Sequence, residues 1–345
     1  MRLVVEINQD KKFDKNEDFL INFHHLQERI KNIRICELIS SKKIVYSGIF
    51  NHQNNIKFKF IYFKFSKEVM QCEFFTLVSL PAFKFRNLYD QLVLDEEVKL
   101  RILKHFYKIQ EYHKKKINIS IFDINKTALI FGPPGTGKTT LAKAIFNRFS
   151  IRLKNKSYFI EISCNKFFSR FYGGTLNSFQ KLKEELINLS KEKFILILFD
   201  EIESILISRD IILSHNEPLE SMRVVNCFLI FLDELKSNPK IFIIFTSNNY
   251  GKLDTAFLDR CDIKMLIDIP KYENIVIILR NIFDDLMRNG LLINYEMKYS
   301  ELKELASFFQ EKSSRQITKM IFELLDIKNN TFSELLSKLR KNFNK

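Results

Sequence analysis

The sequence predicts an α/β fold: a doubly wound parallel sheet bearing a phosphate loop, a helical lid after it and a small α/β domain before it. Three observations carry this reading. Short apolar runs near Thr127, Tyr158, Phe194, Ile241 and Met265 alternate with helical stretches, the rhythm of βαβ units. A glycine-rich loop from Gly132 to Thr140 stands between the first of those runs and a helix-forming stretch, the context a phosphate loop requires. Beyond Pro270 the pattern turns wholly helical, over 273–288, 301–310, 315–325 and 332–339.

Residues 1–78 carry no phosphate-binding or catalytic pattern and read as a small α/β unit. A helix is expected over 16–30 and strand-like runs over 33–39 and 43–46. Over 56–65, Ile56, Phe58, Phe60 and Tyr62 alternate with Lys57 and Lys59, the period of a half-buried strand. Ser79 to Pro81 marks a boundary, which gives a large α/β subdomain over 79–270 and a lid over 271–345. A helix opened by Asp95, Glu96 and Glu97 leads into the core, its acids suited to the positive end of the helix dipole.

The loop itself reads Gly132, Pro133, Pro134, Gly135, Thr136, Gly137, Lys138, Thr139, Thr140, and holds three of the chain's eight glycines. Those glycines let the backbone curl until its N–H groups point at phosphate oxygens, where the helix dipole adds positive potential. Lys138 then reaches the β and γ phosphates of ATP, and the Thr139 hydroxyl is placed on Mg²⁺. The apolar run 194–199 has the character of a buried parallel strand and brings Asp200 and Glu201 to its C-terminal end. Asp200 is expected to hold Mg²⁺ through water, and Glu201 to polarise the attacking water. A further strand, 241–245, delivers Thr246, Ser247 and Asn248 to the same edge, and Asn248 is the candidate amide for positioning water and sensing the γ-phosphate. With Arg260, these elements specify a P-loop ATPase of the AAA+ type.

Composition bounds what else the chain can be. An apolar content of 46% is ample for a core, and 345 residues suit about two to three domains. No run of 18 apolar residues appears, and MRLVVEINQDKK lacks the basic-then-apolar plan of a signal peptide, so a soluble intracellular protein is expected. Cys36, Cys72, Cys164, Cys227 and Cys261 are scattered and never in CxxC spacing, which argues against structural zinc and disulfides. The formal charge of +14 would suit a nucleic-acid partner. Lys, Asn, Ile and Phe are abundant throughout, however, so the surplus reads as compositional bias and direct nucleic-acid binding is not expected. Only 104–116 is locally dense in basic residues, as a solvated helix end would be.

From Leu80 to about Ile269 the sequence resembles the pachytene checkpoint family of AAA+ ATPases (thyroid hormone receptor interactor 13 type), which remodel HORMA-domain proteins. The resemblance rests on LPAFKFRNLYDQLVLDEEVK, GPPGTGKTTLAKAI with IRL after it, FDEIESILISRD, NEPLESMRVVNCFLIFLDELK and TSNNYGKLDTAFLDRCDIK. It covers the core well, the lid loosely and the first 78 residues hardly at all. It implies a homo-hexameric ring with ATP between neighbouring subunits, so that Arg260 serves the adjacent site as an arginine finger. Without the motif, Arg260 reads as a surface ion pair with Asp259 or Asp262.

The resemblance further implies that Arg315 in SSRQITKM is the lid arginine, sensor two, at the start of a helix. Ser314 stands before it where the family has Gly, and serine caps a helix as well as Gly does. FFSRFYGGTL would be a pore loop in which Phe171 grips the substrate chain with Tyr172 beside it, and 208–218 a second channel loop. The implied partners are HORMA-domain proteins, met directly or through a HORMA adaptor, and the implied setting is the nucleus and its chromosomes, with a cytoplasmic share. Two other readings stay open. One is a clamp loader or initiator acting on DNA, whose finger LDRCD faintly echoes. The other is a non-hydrolysing AAA+ scaffold, against which the intact Lys138, Asp200, Glu201, Asn248 and Arg260 argue.

Overall fold

The computed structural model describes residues 65–72, 75–117, 122–153, 157–164, 179–206, 208, 222–292, 299–325, 334, 337 and 338, with 2–8, 34–40, 43–49, 57–63, 175–178, 219–221, 293, 330 and 331 as backbone alone. The chain divides into two compact units, Met1–Phe65 and Ser66–Lys345. In the first unit β1 (Arg2–Asn8) pairs in parallel with β4 (Lys57–Phe63), and β2 (Arg34–Ser40) pairs antiparallel with β3 (Lys43–Ile49). The alternating lysine and aromatic run thus falls on β4, while the helix expected over 16–30 lies outside the described residues.

The second unit begins ahead of Ser79–Pro81, because residues just before that proline build the main sheet. That sheet has seven strands in the order β11-β7-β10-β9-β8-β6-β5. Its parallel members are β7 (Thr127–Phe131), β8 (Ser157–Ser163), β9 (Phe194–Asp200), β10 (Ile241–Ser247) and β11 (Ile263–Leu266). The edge is antiparallel: β6 (Thr76–Leu80) pairs with β8, and β5 (Val69–Gln71) with β6. After β6 the chain is pinned to the core by buried Asn147, whose Oδ1 accepts from Ala82 N at 2.8 Å and whose Nδ2 donates to Phe85 O at 3.3 Å.

Helices cover both faces, as continuous apolar strands require. On β9 the side chains alternate between two cores: Ile195, Ile197 and Phe199 enter one, Leu196 and Leu198 the other. The first core packs under α4 (Thr175–Ser190) and α5 (Leu219–Lys236), and near its centre Phe199 stacks on Phe245 at 5.5 Å. The second lies under α2 (Glu96–Lys114) and α3 (Lys138–Ile151), which follow the short α1 (Leu88–Gln91), and gathers Phe106, Phe146, Phe149 and Phe242. Much of the phenylalanine surplus is therefore core packing. The acids expected ahead of the core stand as anticipated, with Asp95 the N-cap of α2 and Glu96 and Glu97 in its first turn.

Asp262 ties the start of β7 to β11. Its Oδ1 accepts from Asn125 N at 2.9 Å, and its Oδ2 accepts from Thr127 N at 3.1 Å and faces His105 Nε2 at 3.2 Å. Burial would push the carboxyl pKa up, but the hydrogen bonds from His105, Asn125 and Thr127 outweigh it and hold the group below the usual carboxylate value. A carboxylate depressed on folding contributes stability that is present above its unfolded pKa and lost as pH falls through the folded one. Asp262→Ala should destabilise the unit by about 2 to 3 kcal/mol at pH 7. The loss should shrink toward pH 3, which thermal unfolding across that range checks.

The lid is formed by α7 (Tyr272–Arg288), α8 (Tyr299–Phe308) and α9 (Ser314–Leu324), with α6 (Thr255–Asp259) preceding β11 in the main unit. Leu279, Phe283, Leu305, Phe309, Ile317 and Ile321 form its own core. It is not wholly helical: β12 (Leu292–Ile293) and β13 (Asn330–Thr331) make a two-residue parallel pair too short to leave a period in the sequence. Of the helix expected over 332–339, only 334, 337 and 338 are described, all helical. No helix among the described residues is long and apolar enough to cross a membrane, and none of them forms a cluster able to hold a metal ion. Cys72, Cys164, Cys227 and Cys261 are free thiols.

Candidate functional site

The loop between β7 and α3 is shaped by close approaches that only glycine permits. Gly132 has φ +145°, and a Cβ there would lie 2.0 Å from Ile267 O. Gly135 has φ +79°, with a Cβ position 2.7 Å from Ser313 Oγ and 3.0 Å from Arg315 Cβ. The lid thus rests on the loop, and Arg315 N donates to Gly135 O at 3.2 Å. Gly135→Ala adds left-handed backbone strain of about 1 to 2 kcal/mol to that clash. Titration with a fluorescent ATP analogue should show nucleotide affinity lowered about tenfold or more.

Lys138 opens α3 behind Gly137, which caps the helix without a side-chain hydrogen bond. The helix's first N–H groups therefore keep their capacity for an anion. The Lys138 ammonium is buried and donates to Gly132 O at 2.8 Å and Pro133 O at 2.7 Å. Burial lowers its pKa, Glu203, Asp200 and Glu201 work in the opposite sense, and Arg315 adds to the lowering. Thr136 Oγ1 donates to Pro133 O at 3.0 Å, Pro134 is exposed at the tip, and Thr140 is half-buried on α3.

Across from the loop, β9 ends in Asp200. Its Oδ1 accepts from Thr139 Oγ1 at 2.7 Å and also from Thr246 Oγ1. The same Thr246 oxygen accepts from Glu201 N at 3.2 Å, so one hydroxyl at the end of β10 fixes both acids. Glu201 itself sits in the left-handed region, φ +58° and ψ +52°, a conformation costly for a side chain of its size. Backbone strain of this kind clusters at functional sites. Asn248 is exposed beyond β10, and both its backbone N and its Nδ2 donate to Glu203 Oε1, at 3.0 and 3.1 Å.

Lys138, Thr139, Asp200, Glu201, Asn248 and Arg315 are therefore gathered around one loop. Arg260 is engaged elsewhere. Its Nε and Nη2 donate to the two oxygens of Asp233 on α5, each at 2.8 Å, and Nη1 donates to Ala256 O at 2.8 Å. Asp233, not Asp259 or Asp262, is the ion-pair partner, because α5 presents a carboxylate that matches the guanidinium fork and Asp262 is committed to β7. The hydrogen bond from Arg260 holds the Asp233 carboxyl below its usual value. The cap of α9 also differs from expectation. Ser313, not Ser314, is the N-cap, since its hydroxyl accepts from Gln316 N while Gln316 reaches back to Ser313 N, a capping box that fixes the register. Phe171 and Tyr172 lie outside the described residues, and of 208–218 only Ser208 is described, its N–H donating to Lys252 O at 2.7 Å.

The roles of Glu203, Asp233 and Ser313 were not anticipated from sequence. A Ser-x-x-Gln signal was present for Ser313, and Glu203 follows Glu201 by two residues; nothing local marked Asp233.

Fold and loop together define an ATPase domain of the AAA class, and residues 128–269 match the family model of the ATPase family associated with various cellular activities (AAA). Those residues belong to that family. Within it, the chain is similar to the pachytene checkpoint protein 2 homologs. It is 33% identical to the Danio rerio homolog over 256 residues, covering 72% of this chain and 59% of that relative. The chain spans about half the length of the curated relatives it matches, for example 50% of the Homo sapiens homolog, to which it is 36% identical over 216 residues and 61% of its own length. In fold it is like C. elegans PCH-2, with a TM-score of 0.73 at 21% identity, covering 99% of this chain and 98% of that one. The resemblance drawn from the five sequence stretches is thus shown.

Proposed function

We propose that this chain is an ATP-driven remodeller that partially unfolds HORMA-domain proteins and works as a homo-hexamer. The observation that carries the reading is the similarity to pachytene checkpoint protein 2 homologs, found together with a complete set of Lys138, Asp200, Glu201 and Asn248 at one loop. The fold is also like that of a chain in the E. coli MS115-1 HORMA:CdnC:Trip13 complex, with a TM-score of 0.61 at 19% identity over 79% of this chain and 95% of that one.

The residues present fit ATP with Mg²⁺. Three glycines with positive φ, an uncapped helix start and a buried ammonium form a cradle for phosphate, and a hydroxyl paired with a carboxylate suits a hard cation. ATP supplies the phosphoryl bond whose hydrolysis drives the cycle, and Mg²⁺ neutralises its charge. Lys138 exchanges its contacts on Gly132 and Pro133 for phosphate oxygens. Thr139 and Asp200 would hold the cation. Glu201 takes the proton of the attacking water, Asn248 orients that water, and Arg315 brings positive charge from the lid. Arg260 completes the site of a neighbouring subunit.

Motion of the subunits would pull Phe171 and Tyr172 along a substrate's terminal segment, converting a closed HORMA domain to an open one. The N-terminal domain would hold the substrate or its adaptor, and the setting would be meiotic chromosome-axis or spindle-checkpoint control in the nucleus. The test is ATP turnover and mass by light scattering, with and without a HORMA-domain protein from the same organism. An ATP-dependent hexamer that binds the HORMA protein and turns over faster with it supports the proposal. A hexamer indifferent to HORMA but stimulated by DNA, with steep salt dependence, supports a DNA-acting ATPase. Zero turnover in conditions that form the ring supports a scaffold.

A further inference from the structure

We propose that Glu203 is a positioning residue for ATP hydrolysis, fixing the Asn248 side chain so that its amide oxygen is the end offered to the attacking water. The inference rests on the ATPase reading above and deepens it at the same site. Glu203 lies in the 3₁₀ turn Ile202–Ser204, directly after the strained Glu201. Its Oε1 takes two donors from one residue, the Asn248 backbone N–H and the side-chain Nδ2.

The chemistry of the acceptor decides the orientation of the amide. An ionised carboxylate only accepts, so the Asn248 atom turned toward it must be nitrogen, and Oδ1 must point the other way. Without Glu203 the amide is a free rotor at an exposed strand end, with both flip states open to it. Double anchoring through backbone and side chain also sets where the end of β10 stands relative to Glu201. Glu203 Oε2 is buried and finds no hydrogen-bond donor among the described residues. The carboxylate therefore serves Asn248 through one oxygen while its other oxygen lies inside the site, and Glu203 is the leading charge that raises the Lys138 pKa.

The test measures steady-state ATP turnover and binding of a fluorescent ATP analogue for Glu203→Ala, Glu203→Gln, Asn248→Ala and the two double variants, with melting curves as a folding check. Glu203→Ala should lower kcat by about 10- to 100-fold, the cost of a misplaced catalytic group, while KM for ATP stays within about threefold. Adding Glu203→Ala to Asn248→Ala should lower kcat no further, because residues acting as one unit are not additive. Glu203→Gln keeps a carbonyl that can accept from Asn248 and should hold kcat within about fivefold of the unmodified chain. If Glu203→Ala melts out, Glu203→Met, which fills a similar volume but offers Asn248 no oxygen, takes its place in both backgrounds with the same loss expected. Multiplicative losses, or Glu203→Gln as impaired as Glu203→Ala, overturn the inference and assign the residue an independent role through its charge. A raised KM at unchanged kcat overturns it too. Absent turnover in the unmodified, folded chain would instead sink the ATPase reading, a result distinct from any of these.

Discussion

Arg260→Ala should lower the ATP turnover of the assembled chain by about 10³-fold or more, within the range an arginine finger supplies in nucleotide hydrolases. The size of the effect separates the two roles open to this residue. In the single chain Arg260 is paired with Asp233 in a pair whose side chains are 30% and 49% exposed, and such pairs are worth about 0 to 1 kcal/mol. Removing it therefore leaves the fold nearly as stable as before, and any large loss arises in an assembly. Mixing makes the test sharp. Arg260→Ala subunits keep their own Lys138 and Glu201, so adding Glu201→Gln subunits, which keep Arg260, should restore turnover at mixed interfaces. Turnover of Arg260→Ala within about twofold of the unmodified chain would leave Arg260 as the surface partner of Asp233 and nothing more.

Glu201→Gln should lower kcat by about 10²- to 10⁴-fold, the span expected for loss of a general base, while ATP affinity is kept. Glutamine fills the same volume, and the backbone bond from residue 201 to Thr246 does not depend on the side chain. The variant should also hold a HORMA-domain protein in the presence of ATP long enough to be recovered with it on a sizing column. Single-turnover hydrolysis surviving within about twofold would remove Glu201 from the role of base.

The parts of the fold that were legible in the sequence are those written in short-range signals. Five buried strands announced themselves as apolar runs, and the loop by its glycines, because both depend on residues adjacent in the chain. The antiparallel edge was not legible: β6 is five residues long and β5 three, and the proline after them reads as punctuation. The site divides in the same way. Lys138, Thr139, Asp200, Glu201 and Asn248 each sit at a predicted strand end or helix start, and the strand order brings those ends together. The contacts that fix them join residues 45 apart, as Glu203 to Asn248, or 27 apart, as Arg260 to Asp233. No spacing rule reaches that far, and only the strand order and the lie of α5 beside α6 create them.

The seating of the lid on Gly135 makes α9 a lever with its fulcrum at the phosphate loop. The helix has 11 residues, a length of about 16 Å, and it is stiffened at the fulcrum by the Ser313 capping box. Gly135 O and Arg315 N are the bearing surface, with no side chain between them to absorb a displacement. A tilt of about 10° at that bearing carries the far end of the helix about 3 Å, by the length of an ordinary helix of this size. Phe322, 74% exposed, rides near that far end. A sub-ångström adjustment at the loop that tilted the helix so would displace the lid's outer surface on the scale of a side chain.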